Sequence, residues 1–472
     1  MEFRDMILWN GIIHFALLAS LLLFANVLRR KIGFLRKSLM PTAVIAGFIG
    51  LGAKEIIASR FFSVDQIFET NAYLSMITYH AIALGFIALG LKVREEYRIK
   101  TKKSQSIYSG LLIVSTYLLQ GVLGLAVAIT LSLTIFPNLF MASGMLVPLG
   151  FGQGPGQALN IGTVYQVSHG FQGGASFGLA IASFGFIWAA IAGVVYLNVL
   201  NRKGIIKKNP NQKASYVSNQ VIESPDEIPL SEAIDKFTIQ VSLVLLVYFI
   251  TYGFMRLIDF LMMQEILGDF GINTIIPLIW GFNFIFGMLF AIASKKLFLW
   301  LRSKRIMTRQ YPNNYMLNRI SGFVFDFMIV ASITAIRIED LNKLWGPFII
   351  MVIIVGLATL FYIHKMAARI YPKYKSAATM GMFGMLTGTA STGIVLLREV
   401  DPNFETPAAN DLVIGSSTAI LFGFPILLLV GIAPISPIHT WVTFGIVILL
   451  FVIVLSILLF FNKKAPAEGN LK

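Results

Sequence analysis

The chain contains no cysteine. That absence excludes disulfides, thiolate metal sites, a thiol nucleophile and a thiol redox switch. Charge is also scarce, with 13% of the 472 residues being Asp, Glu, Lys or Arg, about half the share of a soluble protein. No G-x-x-x-x-G-K-[ST] loop is present, which disfavours a nucleotide-driven pump. His14, His364 and His439 stand near span ends or alone, without metal-ligand spacing, so no transition-metal site is expected. What abounds is apolar: 56% hydrophobic residues and 40 glycines. The length alone would suggest about three soluble domains, but a soluble fold this apolar could not cover its surface with polar groups. The net charge of +15 does not point to nucleic acid, because the basic residues lie in short runs between long apolar stretches. Such runs mark the cytoplasmic ends of membrane spans.

About twenty apolar residues cross a bilayer as a helix. Eleven stretches qualify, at about 6–28, 40–58, 72–91, 107–136, 172–200, 237–263, 273–294, 316–336, 344–364, 411–433 and 439–461. The fold class expected is therefore an all-α integral membrane protein in a cell membrane. The first span is too long for a cleavable signal peptide, and its positive charge follows it. Segments 29–38, 92–106, 201–236, 295–310, 365–403 and the tail hold 31 of the 38 basic residues. They alternate along the chain as one side of a bilayer should, which puts the N-terminus outside and the C-terminus in the cytoplasm.

The polar stretch 201–236 divides the chain into five spans before it and six after it. The halves 1–200 and 237–434 then run in opposite senses through the bilayer, and 435–472 adds one helix and a cytoplasmic tail. Each half carries a Gly-rich interruption between its fourth and fifth spans, at about 140–166 and 376–403. The first reads Gly150-Phe151-Gly152-Gln153-Gly154-Pro155-Gly156-Gln157, and the second runs from Gly381 to Gly393 through Thr387, Gly388, Thr389, Ser391 and Thr392. Neither flank is long enough to span and return, so re-entrant hairpins are expected, the first from outside and the second from the cytoplasm. Non-helical backbone survives at membrane depth only when protein or a watery cavity satisfies it. Paired broken segments in inverted halves point to a midplane site. Glycine in membrane helices more often serves close packing. Gly174, Gly178 and Ala182, and Gly185, Ala189 and Gly193, read that way. In the broken loops, by contrast, glycine alternates with amides and hydroxyls.

Half-helix N-termini favour carboxylates, and carbonyls with Ser/Thr oxygens suit Na+. Gln153, Gly154, Gly156, Gln157, Asn160, Thr392 and Gly393 are the expected solute-binding residues. Thr387, Gly388, Thr389 and Ser391 are the expected Na+ ligands. The solute is small and anionic or zwitterionic.

These features resemble the sodium/glutamate symporter family. Met40-Pro41 followed by Ala46-Gly47 resembles the start of its second span. Gly152-Gln153-Gly154-Pro155-Gly156 resembles its first Gly-His-Gly-Thr-Gly loop, with Gln153 where the family often has His. Ser183-Phe184-Gly185 resembles the following span, and Gly384 to Gly393 the second loop. The likeness covers roughly residues 10–435. It implies Na+-coupled uptake of an acidic amino acid by a homodimer, inverted five-helix repeats, two re-entrant hairpins and elevator-like alternating access.

Asp326 lies mid-span, where an ionisable side chain costs about 2.5–3.5 kcal/mol. Cation or proton coupling is open for it, and so is a structural hydrogen bond to a neighbouring helix or a protonated carboxyl. His80 could line a cavity or simply pack between helices. Arg337 could attract an anion or anchor the interface, and Lys54 and Glu55 are expected to anchor it as well. Arg256 and Asp259 fall on one helix face and read as an ion pair. The rival functions are a membrane-embedded enzyme acting on lipid or polysaccharide, which would need grouped acid–base residues, and a passive anion channel.

Overall fold

The computed structural model describes residues 6–93, 103–204, 235–307, 309, 311–402 and 404–462. Most of the 201–236 linker, most of the 92–106 basic run and the 463–472 tail lie outside the described residues. Among the described residues the fold is all helix, without a strand. The main helices are α1 (Met6–Lys31), α2 (Thr42–Ala53), α3 (Val64–Leu91), α4 (Lys103–Leu133), α5 (Pro155–His169), α6 (Gly174–Arg202) and α7 (Lys236–Met262). They continue with α8 (Asn283–Ser303), α9 (Asn314–Thr334), α10 (Trp345–Ile370), α11 (Lys375–Leu386), α12 (Ala390–Arg398), α13 (Ala408–Ile432) and α14 (Pro437–Asn462).

Local chemistry sets several starts. Ser63 and Gln66 form a reciprocal capping box at α3, with bonds of 3.3 and 3.0 Å, so two otherwise unpaired N–H groups are satisfied. Asp235 caps α7 through Thr238 N at 3.1 Å, and Asn313 caps α9 through Met316 N at 2.8 Å.

All eleven apolar stretches are helical, and among the described residues nine helices are long and apolar enough to cross a membrane. Helix α2 has only 12 residues and loosens into a π-helical turn at Lys54–Ala58. Helix α13 has 25 residues and carries Pro425 inside it, where the ring removes a hydrogen bond. The stretch expected at 273–294 is broken at Phe282, between a short helix Ile276–Gly281 and α8.

Large apolar side chains cover the outside. Helix α10 exposes Ile349, Ile350, Ile353, Ile354, Leu357 and Phe361 on one face and buries Phe348, Met351, Val352 and Val355 on the other. Monomeric soluble proteins do not carry apolar faces of that extent; hydrocarbon accommodates them.

The helices pack in two groups. One contains α1, α2, α3, α7, α8 and α9; the other contains α4, α6 and α10 to α14. Helix α5 lies against α6 in the second group and also touches α3, α9 and the 276–281 helix in the first. Lys54 is not an interface anchor, because the shortness of α2 keeps it inside the first group. There its Nζ donates to Ile336 O (2.6 Å) and Asn71 Oδ1 (3.0 Å) and sits 3.4 Å from Glu55, which offsets the cost of burying the charge. Arg256 and Asp259 form the expected pair at 3.4 Å.

Candidate functional site

Both Gly-rich interruptions form helical hairpins. In the first, a π-helical turn Pro148–Gln153 stops at Gly154, whose φ of +96° and ψ of 179° suit glycine and strain other residues. Pro155 then opens α5, at the position where its missing N–H costs nothing. In the second, α11 ends at Thr387, and Thr389 opens α12 by accepting from Thr392 N at 3.4 Å. At about 1.5 Å per residue the 12-residue α11 is roughly 18 Å long, well short of a 30 Å bilayer core.

The two tips meet. A Cβ placed on Gly154 would lie 3.6 Å from Thr389 Cγ2 and 3.8 Å from Gly388 O. Helix α4 holds both tips with side chains three residues apart on one face. Tyr117 Oη donates to Gly152 O at 3.1 Å, and Gln120 Nε2 donates to Leu386 O at 2.8 Å and to Thr359 Oγ1 at 3.3 Å. Helix α6 is the other support. Its Gly178 packs on the carbonyl of Ala158 and its Gly185 on the carbonyl of Thr387. The small-residue stripe thus does pack helices closely, and what it packs are the two hairpins.

Three amide oxygens here, Gln120 Oε1, Gln157 Oε1 and Asn160 Oδ1, are buried and accept no hydrogen bond among the described residues. Unsatisfied buried acceptors are costly, and a cation or an ammonium group would satisfy them. Asn160 also reaches across the groups: its Nδ2 donates to Gly281 O at 3.0 Å and lies 3.4 Å from Asn283 Oδ1. Gly156 of α5 packs on Ile82 and Met328 of the first group.

The remaining expected residues divide clearly. Thr389 and Thr392 hydroxyls are 3.2 Å apart at the tip, with Thr392 buried and Gly393 packed on Gly381 O. Thr387 is buried and spends its proton on Phe383 O at 2.7 Å. Ser391 is exposed, and Gln153 is half-buried. Among the described residues, Asp326, His80 and Arg337 make no hydrogen bond or ion pair with the tips. Asp326 is exposed on α9, in the first group. His80 Nδ1 pairs with Tyr248 Oη at 2.7 Å beside a largely apolar cavity of about 320 Å³ between α3 and α7. Arg337 stacks over Phe68 and pairs with Asp340 at 3.7 Å and Glu339 at 4.0 Å, which accounts for it structurally. Sequence reasoning missed Tyr117, Gln120 and Asn283. A lone amide in the apolar run around Gln120 was the available signal, since the polar-residue rule for membranes covers neutral groups too.

Apolar-faced helices around two abutting broken hairpins define a multi-pass membrane protein. The sequence model of the sodium/glutamate symporter family matches residues 8–406, and the chain belongs to that family. No curated protein matches it.

Proposed function

We propose that the protein is a secondary active transporter that couples Na+ influx to uptake of glutamate or a related small carboxylate or amino acid. The observation that carries this reading is the meeting of Gly154 with Gly388 and Thr389 beside three unsatisfied amide oxygens. In the mechanism, Na+ binds oxygens of Thr387, Gly388, Thr389 and Ser391 and orders the second tip. That raises solute affinity, and by reciprocity the solute raises Na+ affinity. The solute carboxylate meets the N-termini of α5 and α12, and its ammonium group meets Gln157 and Asn160, with Gln153, Gly154, Gly156, Thr392 and Gly393 shaping the cradle. Asp326, in the other group of helices, serves no ion in this scheme.

The second helix group then moves past the first as an elevator, with the hairpins as re-entrant segments. Inverted repeats at 1–200 and 237–434 underlie it, joined by the 201–236 linker and followed by an extra helix at 435–472. Exchange of the repeats supports this reading. Helix α3 packs on α8 as α9 packs on α2, and α3 packs on α9 directly; α4 packs on α13 as α10 packs on α6. The assembly is a homodimer with its N-terminus outside and C-terminus in the cytoplasm. The test is glutamate accumulation in sealed vesicles of the purified protein. Uptake against a gradient that stops when choline replaces Na+ supports symport, and equal flux with either cation refutes it.

A further inference from the structure

Asp411, in the first turn of α13, is 1% exposed. Its Oδ2 accepts from Tyr374 Oη at 2.6 Å, and its Oδ1 has no hydrogen-bond partner among the described residues. The groups that face it are hydroxyls. Tyr374 comes from the root of α11 and Ser109 from α4, and Ser109 Oγ in turn meets Tyr371 Oη at 2.7 Å. Tyr371 and Tyr374 are the titratable neighbours, and no Lys, Arg or His among the described residues pairs with Asp411. The small residues of this junction pack tightly, since a Cβ on Gly415 would lie 2.8 Å from Ser109 Cβ. A buried carboxylate without an ion-pair partner is neutralised by a proton or by a bound cation. Sodium requires several free oxygens at once, whereas here the Tyr374 hydroxyl is engaged with Oδ2 and the Ser109 and Tyr371 hydroxyls with each other, which leaves Oδ1, sufficient for a proton.

The placement gives that proton a use. Asp411 belongs to the same helix group as both hairpin tips, whereas Asp326 does not. Helix α11 lies between the tip and the carboxyl. It begins just after Tyr374 and ends at the tip residue Thr387, and on the way Gly381 packs on Leu412 and Met385 Sδ accepts from Ser416 Oγ at 3.2 Å. A shift of the tip therefore acts on the hydrogen bond between Tyr374 and Asp411. We propose that Asp411 carries one proton inward in each transport cycle, held on Oδ1 while the site is closed as here and exchanged when movement of the tip opens the contact between Tyr374 and Asp411, alongside Na+ and solute. This inference rests on the transport reading above.

The test uses the full chain in liposomes that trap a pH-sensitive dye, with membrane voltage held by potassium and valinomycin. Adding glutamate in the presence of Na+ is expected to acidify the lumen, and a lumen made alkaline beforehand is expected to raise the initial uptake rate severalfold. Asp411→Asn is expected to keep Na+-dependent glutamate exchange and lose both proton effects. Tyr374→Phe, which keeps the carboxyl but removes its donor, is expected to move the pH of half-maximal stimulation without abolishing it, and it decides the matter if Asp411→Asn fails to fold. Na+-driven uptake by the wild type with no lumen acidification overturns the inference while sparing the transport reading. Proton movement that persists in Asp411→Asn, or an unmoved pH midpoint in Tyr374→Phe, overturns it too. If the wild type shows no Na+-driven uptake at all, both fall.

Discussion

Gly185→Ala is the sharpest perturbation that the geometry suggests. Its added methyl would press on the carbonyl of Thr387 and lie 3.1 Å from Phe151 Cδ1, so it pushes on both hairpins at their tips. Both obstacles are firm: one is backbone, and Phe151 is fully buried. Overpacking of this kind costs about 1–3 kcal/mol. If the cost falls on the ordered, ion-bound tip, it corresponds to about a 5- to 150-fold weakening of Na+ binding. Gly253→Ala is the matched control, because a Cβ there meets nothing within 4 Å, and alanine in a helix interior is favoured by roughly 0.5–1 kcal/mol. The assay is the Na+ concentration for half-maximal glutamate uptake in liposomes, with thermal melting in detergent run in parallel. The expected result is a right-shifted Na+ curve for Gly185→Ala and an unchanged one for Gly253→Ala. Coincident curves for the two variants would refute the reasoning that the Thr387 carbonyl lies at the ion site.

Other predictions follow the same contacts. Gln120→Leu leaves the Leu386 carbonyl without its donor, a loss of about 1–3 kcal/mol, and is expected to cut Na+-driven uptake at least tenfold, read as initial rates of labelled glutamate. Gln157→Ala is expected to weaken equilibrium glutamate binding more than it lowers the melting temperature, because its Oε1 has no protein partner to lose. Asp326→Asn is expected to leave the Na+ half-saturation within about twofold, since its helix α9 belongs to the other helix group and Asp326 makes no bond to either tip among the described residues. Lys54→Ala is expected to lower the melting temperature in detergent, because it leaves Ile336 O and Asn71 Oδ1 without their donor at about 1–3 kcal/mol.

Much of this architecture was legible from hydropathy, because a bilayer demands long apolar helices and leaves basic residues at their ends. The two interruptions were legible for a related reason: glycine beside amides and hydroxyls has no use against lipid. Their convergence was not, since no local pattern says that Gly154 will abut Thr389 more than two hundred residues later. The same limit hid Tyr117 and Gln120, whose partners lie 35 and 266 residues away. Hydropathy also runs through a break: the apolar stretch across Phe282 reads as one span, although the chain bends there and leaves Asn283 fully buried between helices. Asp326 stands out in the sequence by its depth in a span, whereas the buried amides, whose oxygens have no partner among the described residues, carry no such signal.

The central claim, that the abutting tips hold Na+ and solute, can be tested directly because the protein has no native cysteine. Ala390, exposed at the start of α12 beside the second tip, can be made the single thiol by Ala390→Cys, with retained uptake as the check on function. Its reaction rate with a small maleimide should fall severalfold when Na+ and glutamate are added together, and should not fall when choline replaces Na+. An identical rate in all conditions, in a variant that still transports, would contradict the account.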